Sequence, residues 1–575
     1  MSAIETDVLV LGGGPAGAWA AVSAAATGAR VVLVDKGRCG ASGPAATGVS
    51  TLWTIPPGAA RDEAVRQALG QGGELGDADC LHRVLDETHR RVEQLARWGQ
   101  RFPGERGAVR VRLDGASYLR RLRRRLRASG VLVLDHQPVL QLLVDRDGVV
   151  TGATGVRPHH RYQNWTVHAG AVVMATGGCA FLSGGAGTEV NTGDGLLLAA
   201  EAGAHLSGME FSSAYGLAPV TGGPAHPLQF EKLYDETGAV LSDQAAAFAE
   251  IGQGRRVYAA LDDLPTRGRS NGTGPAGRVP LRPVLAGTVG GTGGLLLTGA
   301  DCATSVAGLY AAGSVASRES MTGAVSGFGG QGGAWAIASG VWAGAGAARF
   351  ALDRGTPDTM RPVPGAGLNA RARIDPRAVV GLVQEHTLPL RRSYWRSAGS
   401  LRDSIAELDA MWPGAEFDLG GTGTGRLQAR QAAALLAVAR WTKYSALART
   451  ESRGMHRRTD HPGAAEDWRV RLTSGGLDRI WVRTDTRRPA APVVEVRAAE
   501  VPVPLGRRLD ALPPQAGAVE LTADVRRTSG QESVLAAPRA ERAAAELIPH
   551  SATAHSGRVS HIPAPPSCEF PLTSG

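Results

Sequence analysis

Lysine is nearly absent from this sequence: Lys36, Lys232 and Lys443 are the only three among 62 basic residues. The net charge of +9 is therefore carried by arginine. A nucleic-acid binder concentrates such an excess on one stripe. Here only one stretch is dense, with Arg120, Arg121, Arg123, Arg124, Arg125 and Arg127. Leu119, Leu122 and Leu126 run through it at helical spacing, so it reads as the solvated face of an amphipathic helix over 118–128. No nucleic-acid partner is expected.

Cysteine is scarce as well. Five cysteines stand at 39, 80, 179, 302 and 568, and none forms a C-x-x-C pair. That spacing supports neither a metal site nor a disulfide framework, and it fits the reduced thiols of a cytoplasmic protein. Long apolar runs are missing too. The longest uncharged stretch, Ser320 to Ala348, is interrupted throughout by glycine, serine and threonine, so no membrane span is expected. Met1 to Thr6 carries Glu5 and runs straight into a strand-like segment, which lacks signal-peptide architecture.

Glycine is what the chain has in excess. Seventy-eight of 575 residues is about twice the usual ~7% share, with no collagen period. In a chain long enough for two to four domains, this implies tight turns and backbone pressed against a ligand.

The first 36 residues say where. Asp7 to Leu11 is a short apolar run of the kind buried in a parallel sheet. It ends in Gly12-Gly13-Gly14-Pro15-Ala16-Gly17, followed by an alanine-rich, helix-compatible stretch and a second β-branched run, Arg30 to Val34, closed by Asp35. This is strand, glycine turn, helix, strand, with G-x-G-x-x-G at Gly12, Gly14 and Gly17. Gly12 permits the turn, Gly14 admits a pyrophosphate to the backbone, and Gly17 lets the helix pack on the strand. The helix N-terminus then faces phosphate, and Asp35 can accept from the adenosine ribose.

Further pieces of the same domain lie far downstream. Leu140 to Asp145 and Val149 to Val156 flank Arg146-Asp147-Gly148 as a hairpin with Asp-Gly in its turn. Ala169 to Met174 is another buried-strand run, ending in Ala175-Thr176-Gly177-Gly178, and Gly308 to Gly313 repeats the pattern.

Here a family resemblance emerges. LGGGPAG, ATGG at 175–178, NTGDG at 191–195, GMEF at 208–211, GLYAAGS at 308–314 and ESRGMHRRTDHP at 451–462 are similar to stretches of the flavoproteins of succinate dehydrogenase, fumarate reductase, L-aspartate oxidase and adenylylsulfate reductase. The likeness runs from about residue 5 to about residue 470. It implies an α/β fold: a Rossmann-type FAD-binding domain split by an inserted α+β capping domain, then a helical C-terminal domain. The expected bounds are 1–210 and 286–352 for the FAD-binding domain, 211–285 for the capping (substrate) domain and 373–470 for the helical domain. Residues 489–575 form a Pro/Ala-rich tail expected to be poorly ordered.

The resemblance also implies the cofactor site. Ser42, Gly43, Thr47 and Gly48 fall where the family wraps the flavin ring, and that stretch holds no histidine, so FAD is expected to be non-covalent. Ala175, Thr176, Gly177, Asp194, Gly313 and Ser314 complete the site with Gly12, Gly14, Pro15, Ala16, Gly17, Asp35, Lys36 and Val139.

The substrate segments depart from the family. Its histidine after the methionine-glutamate-phenylalanine motif is missing from Ser212 to Gly216, and a second is missing from Ala286 to Gly294. Its substrate-clamping arginine is replaced in Met321 to Gly327. Dicarboxylate chemistry would lose its charge-assisted contacts without them. The expected function is an FAD-dependent oxidoreductase moving a hydride or electron pair between flavin N5 and a small substrate that is not a dicarboxylate.

Two alternatives stay open: an adenylylsulfate-reductase-like flavoprotein with a separate ferredoxin-like iron–sulfur partner or other acceptor, and a non-catalytic flavoprotein scaffold. Candidate catalytic residues are His226, Tyr215 and Arg318, against the plain readings of a loop histidine and a surface arginine.

Overall fold

The computed structural model describes residues 3–102, 109–220, 230–260, 278–327, 329–357, 359–370 and 372–484, with a short strand at 495–496. All belong to one compact unit, Met1–Arg508. His226 and nearly all of 489–575 lie outside the described residues.

The central sheet carries the site. Strands β1 (Ile4–Leu11), β2 (Val31–Val34), β3 (Leu132–Leu134), β4 (Val139–Val144), β5 (Val150–Arg157), β6 (Gln163–Met174) and β7 (Leu309–Ala311) belong to it. The order is Arg361–Pro362, β4, β5, β6, β1, β2, β3, and β7 also pairs with β6. β3, β2, β1, β6 and β7 are parallel to one another, whereas β4 and β5 join antiparallel. β6 serves both patterns: its first half pairs with β5 and its last three residues with β7. Val8 to Leu11 are fully buried, as expected for a strand covered on both faces. The parallel strands end at Leu11, Val34, Met174 and Ala311, and ligands bind beyond such carboxyl ends.

Two helices cover one face of this sheet, α1 (Pro15–Ala25) and α2 (Gln331–Arg354). Their small residues let the backbones nearly touch. A Cβ on Gly344 would sit 2.1 Å from the Ala20 carbonyl oxygen, and one on Gly340 would sit 2.5 Å from that of Ala16. Glycine is therefore structural at this contact, despite its low helix propensity.

Between β6 and β7 the chain makes a five-stranded antiparallel sheet in the order Tyr215–Pro219, Val279–Leu285, Val257–Ala259, Leu233–Tyr234, Val240–Leu241, with helix Gln244–Gly252 beside it. This is the α+β insertion. The C-terminal part is helical: Pro376–Thr387, Ala398–Phe417 and Gly423–Ala448. The last is buried on nearly every face from Ala429 to Ala448, so it is the core of that part. Ala398–Phe417 runs straight through Pro413, because Trp412 and Ala415 pack its last turns into the core. Among the described residues, no helix is long and apolar enough to cross a membrane.

Candidate active site

The glycine turn after β1 has the geometry its sequence promised. Gly12 has φ +107°, and a Cβ there would lie 2.3 Å from the Ala175 carbonyl oxygen. A Cβ on Gly17 would lie 1.9 Å from the Gly12 oxygen. Gly14 differs: nothing stands within 4 Å of its missing Cβ. The first two glycines are demanded by protein backbone, and the third leaves room for something else. Gly14 is also the N-cap of α1 and Pro15 its first residue, so no side chain occupies the helix's first N–H groups.

Asp35 closes the other side. It is buried, and its carboxylate accepts from the Gly13 N–H at 2.5 Å and the Gly37 N–H at 2.6 Å. Burial pushes its pKa up, against those two donors. Each oxygen keeps lone pairs for hydroxyl donors in the cleft.

The cleft encloses about 420 Å³. Gly12, Gly14, Pro15, Ala16, Asp35, Lys36, Ser42, Gly43, Val139, Ala175, Thr176, Gly177, Asp194, Gly313 and Ser314 all line it. Gly17 lies just beneath. Thr47 and Gly48 stand aside: the Thr47 hydroxyl donates to the Pro44 carbonyl, and the Gly48 carbonyl accepts from Gly115 N–H. Lys36 is fixed by Asp194 at 2.6 Å and by the Thr192 hydroxyl at 2.7 Å. One lining residue escaped sequence reasoning although it begins NTGDG. Asn191 is buried, and its Oδ1 has no partner. Its signal was that motif's first position.

A further charged group at the cleft is Arg318. Its side chain is buried and lines the cleft. The guanidinium donates to the Val289 carbonyl at 2.8 Å, to the Gly291 carbonyl and to the Ser314 hydroxyl at 3.3 Å, while Nε has no partner. No carboxylate among the described residues pairs with it. Desolvation alone lowers its pKa, to about 10, so the charge persists at neutral pH.

Of the other catalytic candidates, Tyr215 is not brought to this place. Tyr215 is buried, with its hydroxyl donating to the Thr387 and Leu388 carbonyls, and burial pushes the phenol's pKa up. His226 lies outside the described residues. Among the described residues, no histidine lines the cleft. Ser213 donates to the Ser393 carbonyl and accepts from Arg396, and Thr292 donates to the Gly323 carbonyl. In the ESRGMH segment, His456 Nε2 bonds the Arg449 carbonyl and therefore donates, leaving Nδ1 to accept from Arg396 at 2.6 Å. Burial and three surrounding arginines hold it neutral. That segment is structural here.

Comparison with known proteins adds six findings. The model described as an FAD binding domain matches residues 7–268, and that of the fumarate reductase flavoprotein C-terminus matches residues 401–490. An L-aspartate oxidase of Mycobacterium leprae is 30% identical over 533 residues, 80% of this chain and 93% of that protein. Another, of Streptomyces coelicolor, is 31% identical over 286 residues, 45% of this chain and 48% of that protein. An E. coli quinol fumarate reductase chain has a TM-score of 0.72 at 21% identity, covering 86% of this chain and 99% of that one. The adenylylsulfate reductase of Archaeoglobus fulgidus gives 0.68 at 17%, covering 86% and 97%.

Proposed function

The chain belongs to the FAD-dependent flavoprotein family of succinate dehydrogenase, fumarate reductase, L-aspartate oxidase and adenylylsulfate reductase, and from that premise we propose an oxidoreductase for a small substrate with a single acidic group. FAD is the cofactor. Bound in the cleft, it supplies the hydride acceptor or donor. The chain's own groups fit it: the open side of Gly14 and the α1 N-terminus suit the pyrophosphate, Asp35 suits the ribose, and the orphaned Asn191 Oδ1 can accept from the cofactor. The stretch from Arg38 to Ser50 holds no histidine, so we infer non-covalent attachment. Acid precipitation then leaves the yellow colour in the supernatant; a yellow pellet refutes it.

One observation carries the substrate reading: a buried guanidinium without a carboxylate partner, one N–H unspent, at the edge of the cofactor cleft. An uncompensated buried charge is costly, and a bound anion relieves it. Arg318 holds the substrate's acidic group and stabilises negative charge that develops beside it. A dicarboxylate needs a second set of donors, which neither the cleft lining nor segments 212–216 and 286–294 supply. The five cysteines are too dispersed to bind an iron–sulfur cluster, so we infer that the electron acceptor, an iron–sulfur protein or another oxidant, is a separate molecule.

The test is a titration of the purified holoprotein with monocarboxylates, monosulfonates and dicarboxylates, following flavin absorbance anaerobically. Saturable changes with mono-acids that vanish in Arg318→Gln support the reading. Micromolar binding of succinate, or turnover of fumarate, overturns it.

A further inference from the structure

A second cavity, of about 230 Å³, shares no lining residue with the flavin cleft. That is room for about seven waters at their liquid volume. Its walls come from Asp77 at the N-cap of helix Ala78–Arg97, from Ser207, Leu296 and Leu297, from Ser317, Glu319 and Ser320, and from Arg469 to Arg471.

Two groups in it hold unspent bonding capacity. Glu319 is 2% exposed; its Oε2 accepts from the Ser207 hydroxyl at 2.5 Å, and its Oε1 has no partner. Arg471 spends Nε on the Leu75 carbonyl and Nη1 on the Ser320 hydroxyl, leaving Nη2 uncommitted among the described residues. Arg469 is half-exposed and shared between Glu74 and Glu466. The cavity thus carries two acids and two guanidiniums. A simple anion would meet Glu319 and Asp77, and a simple cation would meet the arginines. A ligand with both charges satisfies both walls, and the buried, orphaned Oε1 is the acceptor that no protein donor fills.

We propose that this cavity binds a small zwitterion, with its ammonium group on Glu319 and its acid group on Arg471. The site is separate from the one that holds the substrate. Burial and the nearby Glu210 push the Glu319 carboxyl up to about 7, so an ammonium ligand favours its ionised form and binds better at pH 8 than at pH 6.

Calorimetric titration of the full-length, FAD-loaded chain with glycine and β-alanine tests this, with acetate and methylammonium as single-charge probes. The expected result is saturable one-to-one binding of at least one zwitterion, at least 10-fold tighter than either single-charge probe. Glu319→Gln and Arg471→Gln should each weaken it at least 10-fold, and Arg318→Gln should leave it unchanged. FAD content and a melting curve establish that each variant is folded; if Glu319→Gln is not, Arg471→Gln decides alone. Absence of saturable binding up to 50-fold above the protein concentration and into the millimolar range overturns the proposal. So does binding indifferent to Arg471→Gln, or binding lost in Arg318→Gln, which would place the ligand in the flavin cleft.

Discussion

Arg318 and Glu319 are consecutive residues that face different cavities. The guanidinium lines the cofactor cleft and the carboxyl closes the second one, bonded to Ser207 at 2.5 Å. The short helical turn Glu319–Thr322 makes this possible, with the Arg318 N–H held by the Thr292 carbonyl. Each side chain is buried with an unpartnered polar atom. Folding keeps two costly groups side by side, and that cost is what the proposed ligand-binding roles of both residues rest on.

Arg318→Gln should move activity and stability in opposite directions. A charge-assisted hydrogen bond contributes about 1.5–3 kcal/mol, so anionic ligands should bind about 10- to 100-fold more weakly. The same substitution removes an unpaired buried charge and should leave the melting temperature unchanged or higher. Flavin-monitored titration and calorimetry read both. Loss of stability without loss of ligand affinity would make Arg318 a structural residue.

Asp35→Ala removes the acceptor of two backbone N–H groups as well as the carboxylate proposed to hold the ribose. The Gly13 donor is then left buried, costing about 1–3 kcal/mol. Purified variant should retain less than a tenth of the parent's FAD, read from the ratio of visible to ultraviolet absorbance. Full occupancy would show that Asp35 does not hold the cofactor.

The cofactor half of the site was readable because glycine leaves a sequence signature when backbone geometry requires it. Gly12, Gly17 and Asp35 stand at fixed spacings, and the structure shows the atoms that impose them. The substrate half was readable only as gaps. Nothing local in the sequence distinguishes Arg318, fully buried against the carbonyls of Val289 and Gly291, from a surface arginine, because its partners lie about 27–29 residues away in sequence. Tyr215 looked reactive for the converse reason: its hydroxyl is consumed by carbonyls more than 170 residues downstream. His456 sits in a motif, yet its neutral, bonded state follows from Arg396 and Arg449, which only the fold brings to it.

The contact between α1 and α2 should tolerate no added volume. Gly344→Ala places a methyl group 2.1 Å from the Ala20 carbonyl oxygen, and the atom it meets is backbone. Helices forced apart in this way cost about 1–3 kcal/mol. Denaturant unfolding of the holoprotein should show that loss, although alanine ordinarily favours a helix over glycine by about 1 kcal/mol. A stabilised Gly344→Ala variant would mean that the helices are not packed this closely.

Glu319 makes stability depend on pH in a direction that can be worked out. Its ordinary pKa of 4.5 rises to about 7 in the folded chain, through burial first and the Glu210 charge second, against Arg471, Arg449 and the Ser207 hydroxyl. Between those values the folded chain holds a proton that the unfolded chain has lost. Its contribution is therefore fully present below about pH 4.5 and is lost as pH rises through about 7. Above that, the folded chain carries a buried carboxylate. Glu319→Gln keeps the shape and an acceptor for Ser207 but never ionises. The variant should be more stable than the parent at pH 8, by about 3 kcal/mol given 1.36 kcal/mol per pKa unit, and the difference should shrink below about 1 kcal/mol at pH 5. His456 opposes this trend, because only the unfolded chain protonates it below about 6.5, so stability falls there as pH falls. That effect is common to both proteins and cancels in their difference. Urea unfolding at pH 5, 6, 7 and 8 gives the four differences. A variant less stable than the parent at pH 8 would show that the Glu319 carboxylate is well compensated in the folded chain.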